Sequence, residues 1–180
     1  MKIPVGKESF EEIRRDENYY VDKTELIYDL LNSTDNKVTL FTRPRRFGKT
    51  LMMSMIENFF SIQKGDSHDI FEGLNIMKHE AFCAEWMNQY PVLFLTLKGV
   101  EALSFEDAYE KLQVKLAGLC KTYERLLESD KIDIDDRKVF LDLKAQQASY
   151  ANVADSLKTI MRMMAAVTEP VDVSDIPLRS

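Results

Sequence analysis

The sequence is most informative where it reads Arg43-Pro44-Arg45-Arg46-Phe47-Gly48-Lys49-Thr50. This stretch fits the phosphate-binding pattern G-x-x-x-x-G-K-[ST], except that an arginine stands where the pattern opens with glycine. An apolar run at 38–41 precedes the stretch, and apolar residues with helical spacing follow it at 51–62. Strand, loop and helix in this order predict an anion site formed by backbone N–H groups and a helix N-terminus.

Each residue of the loop has a separate expected role. Gly48 lets the backbone approach a phosphate, Lys49 brings a compact charge to phosphate oxygens, and Thr50 offers a hydroxyl to Mg²⁺. Pro44 removes one backbone donor, and the neighbouring arginines can compensate with charge. The predicted nucleotide- and phosphate-binding residues are Arg45, Arg46, Phe47, Gly48, Lys49 and Thr50.

Coincidence is the alternative explanation of the loop. A bare G-K-[ST] tripeptide occurs by chance in roughly one chain in ten of this length, and a basic turn before an amphipathic helix is a common surface feature. The strand before the loop, the helix after it and the added arginines favour an anion site.

The chain resembles the predicted AAA-ATPase-like proteins, found mostly in bacteria, from about Tyr20 to Met164. An arginine in place of the first glycine is typical of that family. The resemblance implies a P-loop NTPase fold and binding of ATP with Mg²⁺ through Gly48, Lys49 and Thr50, where Thr50 is the metal ligand. It is carried by the loop with Leu51 and by Tyr20-Val21-Asp22-Lys23-Thr24, Phe71-Glu72-Gly73-Leu74 and Tyr90-Pro91-Val92-Leu93-Phe94-Leu95.

The end of the chain departs from that family. Members usually continue into a Walker B strand that ends in acidic residues, and often into a nuclease-like domain of the PD-(D/E)XK type. Residues 167–180 instead alternate acidic and apolar residues around a proline. We therefore expect an AAA-ATPase-like P-loop domain over 1–166, truncated before Walker B, and an irregular tail over 167–180. Hydrolysis by this chain alone is then doubtful, unless Asp172 or Asp175 replaces the missing acids.

Composition restricts the class of protein. With 180 residues, 45% hydrophobic and 30% charged, the chain is typical of one soluble globular domain. The net charge of −6 does not support a general nucleic-acid or membrane-surface binder. The sequence shows neither the apolar core of a signal peptide nor a run of about 18 apolar residues, so we expect a cytoplasmic protein. Cys83 and Cys120 form no spaced motif and are expected to be reduced and buried.

The element pattern predicts an α/β fold: a P-loop NTPase-like parallel sheet fragment with helices on both faces and a helix-rich C-terminal half. Strand 38–41 is expected to end at the phosphate site, and the continuous apolar run 92–97 predicts a second buried parallel strand. Asp22 with Glu25 predicts a capping box. The predicted helices cover 10–14, 22–31 (opened by Asp22), 51–62, 79–89, 104–126, 135–147 and 152–166, and 64–76 is a predicted connection.

Two functions from different classes remain open. The first is a nucleotide-binding ATPase-type domain, in which the arginines assist the phosphates or instead contact a partner subunit or nucleic acid. The second is a non-catalytic, truncated interaction module whose loop binds only simple anions and whose uncovered apolar face drives homo-oligomerisation. A sequence that continued past Ser180 into an apolar strand and Asp-Glu would favour the first. His79 and Cys83 share a helical spacing, but two ligands do not make a metal site.

Overall fold

The structure, a computed structural model, describes residues 2–4, 6–32, 40, 42, 44 and 47–168. The chain divides into two compact units, Met1–Val92 and Leu93–Ser180, and each has its own apolar core. The predicted domain boundaries, 1–166 and 167–180, stay predictions. The described helices are α1 (Phe10–Arg15), α2 (Glu25–Asn32), α3 (Lys49–Phe60), α4 (His68–Phe71), α5 (Glu80–Trp86), α6 (Phe105–Thr122), α7 (Ile134–Lys144), α8 (Tyr150–Ala154) and α9 (Ser156–Val167).

The predicted parallel sheet is wrong. In the described ranges no strands join into a sheet, and strand-type pairing is limited to two isolated bridges, Lys2 with Asn18 and Ser61 with Tyr90. Strand 38–41 falls outside the described residues except for Leu40, which is 82% exposed and so does not lie in a core. The α/β fold class is therefore replaced by a mostly helical one.

The run 92–97 shows why the strand prediction failed. The run forms no regular secondary structure, and residues 92–95 are half-buried while 96 and 97 are exposed, so it is not the strand covered on both faces that was predicted. Leu93 and Leu95, however, pack against the helical core of the second unit, and the amide of Phe94 donates to the hydroxyl of Tyr123 over 3.3 Å. A continuous apolar run indicates burial and does not specify what covers it. Here Leu93 and Leu95 are covered by helices and not by a sheet.

Most helix predictions are confirmed, with shifts at the ends. Ser104 caps α6 as predicted, because its Oγ accepts the amide of Asp107 at 3.1 Å. Asp133 caps α7, so that helix begins at Ile134 and not at 135. The predicted helix 152–166 is two helices, α8 and α9, which meet at Asp155. The predicted connection 64–76 contains α4, and 3₁₀ turns lie at Ile62–Lys64 and Asn75–Lys78.

The core of the first unit holds α3 in place along its buried face. Met55 and Phe59 of α3 are fully buried, as the helical spacing of this stretch predicts. The ring of Phe59 lies 5.5 Å from that of Phe71, which in turn lies 4.8 Å from Phe10. Full burial of side chains of this size stabilises a fold by about 1.5–3 kcal/mol each. The face of α3 is therefore fixed by packing.

The C-terminal end of α3 is fixed by hydrogen bonds to Asn88. The amide of Asn88 donates to the carbonyl of Phe59 at 2.7 Å, and its Nδ2 donates to the carbonyls of Asn58 and Ser61 at 3.1 and 3.0 Å. These bonds satisfy carbonyls that a helix end leaves without intrahelical partners. With its face packed and its C-terminal end bonded, α3 presents a fixed N-terminal end at Lys49.

The second unit is a helical assembly with a separate core. Phe140 of α7 and Ile160 and Met163 of α9 are buried in it, together with Leu116 of α6. Outside the core, Asp136 and Arg162 form a bidentate ion pair between α7 and α9, in which Nε donates to Oδ2 at 2.7 Å. The Arg162 guanidinium lowers the pKa of Asp136.

Candidate anion-binding site

The site is built on the start of α3. The helix begins at Lys49, and Gly48 is its N-cap with φ 79° and ψ 23°, a left-handed conformation that glycine adopts at little cost. Among the described residues, no atom lies within 4 Å of a Cβ added at Gly48, so these residues leave the space beside it open. Gly48 has no side chain and so forms no side-chain cap on α3. The first N–H groups of a helix have no intrahelical acceptor and carry the positive end of its dipole, so the start of α3 favours an anion.

The side chain of Lys49 contacts the backbone of Pro44. Its Nζ donates to the carbonyl of Pro44 at 3.2 Å. Thr50 is exposed in the first turn of the helix, where its hydroxyl is accessible. Phe47 is 58% exposed. The predicted binding residues Arg45 and Arg46 lie outside the described residues, as does Arg43.

A second segment, 20–24, is held by hydrogen bonds to residues that lie more than 50 positions away in the sequence. Asp22 does not form the predicted capping box. Its Oδ1 accepts the amide and the hydroxyl of Thr24 at 2.9 and 2.7 Å, and its Oδ2 accepts the amide of Asn75 at 2.7 Å. The Thr24 hydroxyl also accepts the amide of Ile76 at 3.1 Å. Asp22 and Thr24 therefore pin this segment to the backbone at 75–76.

Electrostatics agree with this anchoring role. Partial burial acts to raise the pKa of Asp22, but the hydrogen bonds from Thr24 and Asn75 outweigh it, and the pKa is lowered. The carboxylate is thus held ionised with both oxygens occupied. Burial raises the pKa of Tyr20 to about 12, and its hydroxyl donates to Sδ of Met55 at 3.1 Å. Segment 20–24 is attached to α3 as well as to 75–76.

The space between segment 20–24 and α3 is a cavity of about 180 Å³. Gly48, Leu51 and Met52 line it from the side of α3, and Tyr20 and Lys23 line it from the other side. The ammonium of Lys23 lies 6.0 Å from the ring centroid of Phe47, so Lys23 approaches the loop directly. Sequence reasoning did not predict Lys23 as a site residue. The stretch 20–24 contributed to the family resemblance, but its residue types suggested no chemical role for Lys23.

The other candidate ligands do not form a site. His79 Nε2 lies 2.7 Å from Glu25 Oε1, and its ring stacks on Tyr28 with centroids 3.8 Å apart. Cys83 is buried, its Sγ donates to the carbonyl of Ile76 at 3.2 Å, and burial raises its pKa. Among the described residues, no group of three or more His, Cys, Asp or Glu side chains is placed to hold a metal ion.

Two further predictions concern other parts of the chain. Cys120 is buried and carries a free thiol, as predicted, and burial raises its pKa to about 11. The candidate acids Asp172 and Asp175 lie outside the described residues. No described helix combines the length and apolar character needed to cross a bilayer.

Comparison with known proteins identifies the family. The family described as "Predicted AAA-ATPase" matches residues 4–171, and the chain belongs to that family. The resemblance read from the sequence is therefore confirmed at the level of the family, which supports an ATPase-like domain. An "Uncharacterized protein in vnfD 5'region" of Azotobacter chroococcum mcd 1 is 31% identical over 127 residues. The match covers 70% of this chain and 22% of that relative, so the chain spans about a fifth of the relative's length. No solved structure matches the chain.

Proposed function

We propose that this member of the family binds ATP with Mg²⁺ at the start of α3. The binding residues are Arg45, Arg46, Phe47, Gly48, Lys49 and Thr50. The observation that carries the proposal is the arrangement at Gly48 and Lys49: a left-handed glycine opens the helix, and the lysine ammonium lies 3.2 Å from the Pro44 carbonyl. Family membership supports a nucleotide as the ligand.

The chemistry of this arrangement favours a polyanion. The first amides of α3 and the helix dipole both attract negative charge. The Lys49 ammonium donates to the carbonyl of Pro44, and a phosphate oxygen would offer it a hydrogen bond between opposite charges, which is shorter and stronger than one to a neutral acceptor. Binding therefore requires a local exchange of partners at Lys49.

Mg²⁺ would enter the site already bound to the phosphates of the nucleotide. Mg²⁺ prefers six oxygen ligands and usually keeps several waters while it bridges phosphates and one or two protein groups. Thr50 offers one exposed hydroxyl in the first turn of α3. The cavity beside Gly48 has no carboxylate among its described lining residues. The protein would thus add one ligand to a metal that the phosphates already hold.

Calorimetric titration tests the proposal. ATP should bind saturably, and more tightly with Mg²⁺ than in excess chelator, because the metal links the phosphates to Thr50. Sulfate at the same concentrations should compete only weakly. Absence of saturable ATP binding would overturn the proposal. Equal affinity for sulfate and ATP would also overturn it and would favour the module that binds only simple anions.

A further inference from the structure

The segment that carries Lys23 is held rigidly beside the loop. Asp22 and Thr24 flank Lys23 on both sides and bond to the amides of Asn75 and Ile76 at 2.7 and 3.1 Å. Thr24 is fully buried, whereas the Lys23 side chain is exposed. Two anchored neighbours fix the backbone at Lys23 and leave its side chain to solvent or to a ligand.

Lys23 also shares the open space with Gly48. Both residues line the cavity of about 180 Å³. That volume is below the roughly 300–1,000 Å³ of sites that enclose a drug-sized molecule, so the cavity admits only part of a ligand. A phosphate chain that contacts the amides at Gly48 therefore lies at the mouth of the space that Lys23 faces.

We propose that Lys23 is a second ligand-binding cation of the loop site, which contacts a phosphate oxygen of the bound nucleotide from the side opposite α3. This inference rests on the proposed function. Lys23 adds a positive charge from a segment that lies outside the phosphate-loop pattern, so the polyphosphate is held between Lys49 on one side and Lys23 on the other.

The present contact of Lys23 is one that a phosphate can displace. Its ammonium lies 6.0 Å from the Phe47 centroid, at the outer limit for a cation–π interaction, and the ring is 58% exposed. Within the described residues Lys23 forms no ion pair with a carboxylate. The adjacent carboxylate of Asp22 is engaged by Thr24 and Asn75. A charge-assisted bond to phosphate is stronger than a distant contact with a solvated ring.

The test compares Lys23→Gln with Lys23→Arg in titrations with Mg–ATP and with magnesium tripolyphosphate. Lys121→Gln is the control, because Lys121 is an exposed lysine in the other unit. Lys23→Gln should weaken both ligands about tenfold, because a charge-assisted hydrogen bond is lost. Lys23→Arg should retain most of the affinity, and Lys121→Gln should leave it unchanged. The loss at Lys23→Gln should shrink as salt rises, since exposed charges are screened.

The outcomes separate this inference from the proposed function. Weakened binding in Lys49→Ala together with unchanged binding in Lys23→Gln would overturn the role of Lys23 alone. A loss for ATP but not for tripolyphosphate would overturn the phosphate contact. A loss that is independent of salt and accompanied by a lower melting temperature would show a structural role instead. If the unmodified chain binds neither ligand, the proposed function itself is wrong.

Discussion

The fully buried Thr24 stabilises segment 20–24 through its hydroxyl, which donates to Asp22 at 2.7 Å and accepts the amide of Ile76 at 3.1 Å. Thr24→Val keeps the volume and removes both bonds. We expect a loss of about 2–3 kcal/mol in the free energy of unfolding, because a buried amide loses its partner. Thr42→Val, at an exposed position of the same unit, should change it by less than about 0.5 kcal/mol.

Urea denaturation followed by tryptophan fluorescence measures this loss, since the single tryptophan, Trp86, lies in the first unit. Equal stability of Thr24→Val and the unmodified chain would mean that segment 20–24 is not anchored through Thr24.

The residues of the candidate site differ in how far the sequence could predict them. The places of Gly48 and Lys49 follow from a local pattern, and the structure starts a helix there. The bond between Asp22 and Asn75 joins residues 53 positions apart, and no local spacing reveals such a pair. The three-residue spacing between Asp22 and Glu25 in the sequence favoured a capping box. The Asp22 carboxylate instead accepts hydrogen bonds from Thr24 and from the distant backbone amide of Asn75.

At the scale of elements, alanine substitutions at two glycines test the conformations of α3 and α6. Gly48 has a left-handed conformation at the start of α3, whereas Gly118 lies inside α6, and at either position an added Cβ meets no atom of the described ranges within 4 Å. Gly48→Ala should therefore destabilise the fold by about 1–2 kcal/mol. Gly118→Ala should stabilise it by about 0.5–1 kcal/mol, because alanine loses less entropy in a helix interior.

Scanning calorimetry of both variants checks the two signs in one experiment. A Gly48→Ala variant as stable as the unmodified chain would show that α3 does not open on a left-handed residue. A destabilised Gly118→Ala variant would mean that α6 is interrupted at Gly118.

Elements with local signals were predictable, and elements defined by distant partners were not. The cap at Ser104 and the helix behind Gly48 are encoded within a few residues and were predicted. The run 92–97 has the apolar character of a buried strand, but its cover depends on Tyr123 and on residues still further along the chain. Burial could be predicted there, whereas the sheet could not.

For the whole molecule, we expect negligible ATP hydrolysis by these 180 residues alone. Phosphate transfer requires an oriented nucleophile and a fixed metal. Both oxygens of Asp22 are engaged in anchoring, and the described lining of the cavity beside Gly48 contains no carboxylate. A missing general base typically costs about 10²–10⁴-fold in rate.

Phosphate release by the purified chain should therefore match that of a Lys49→Ala variant. Clear turnover that depends on Lys49 would contradict this expectation. In that case Asp172→Asn and Asp175→Asn would identify the acid that supplies the missing function.

The central claim is that a polyphosphate is bound by the start of α3 through Lys49. Its most direct test is the affinity for Mg–ATP of Lys49→Ala compared with Lys121→Ala, which removes an exposed lysine from the other unit. Lys49→Ala should weaken binding about tenfold to a hundredfold, since a hydrogen bond to a charged group is worth roughly 1.5–3 kcal/mol. Lys121→Ala should leave it unchanged. Equal effects of the two substitutions would show that ATP is attracted by general charge and that the loop is not its site.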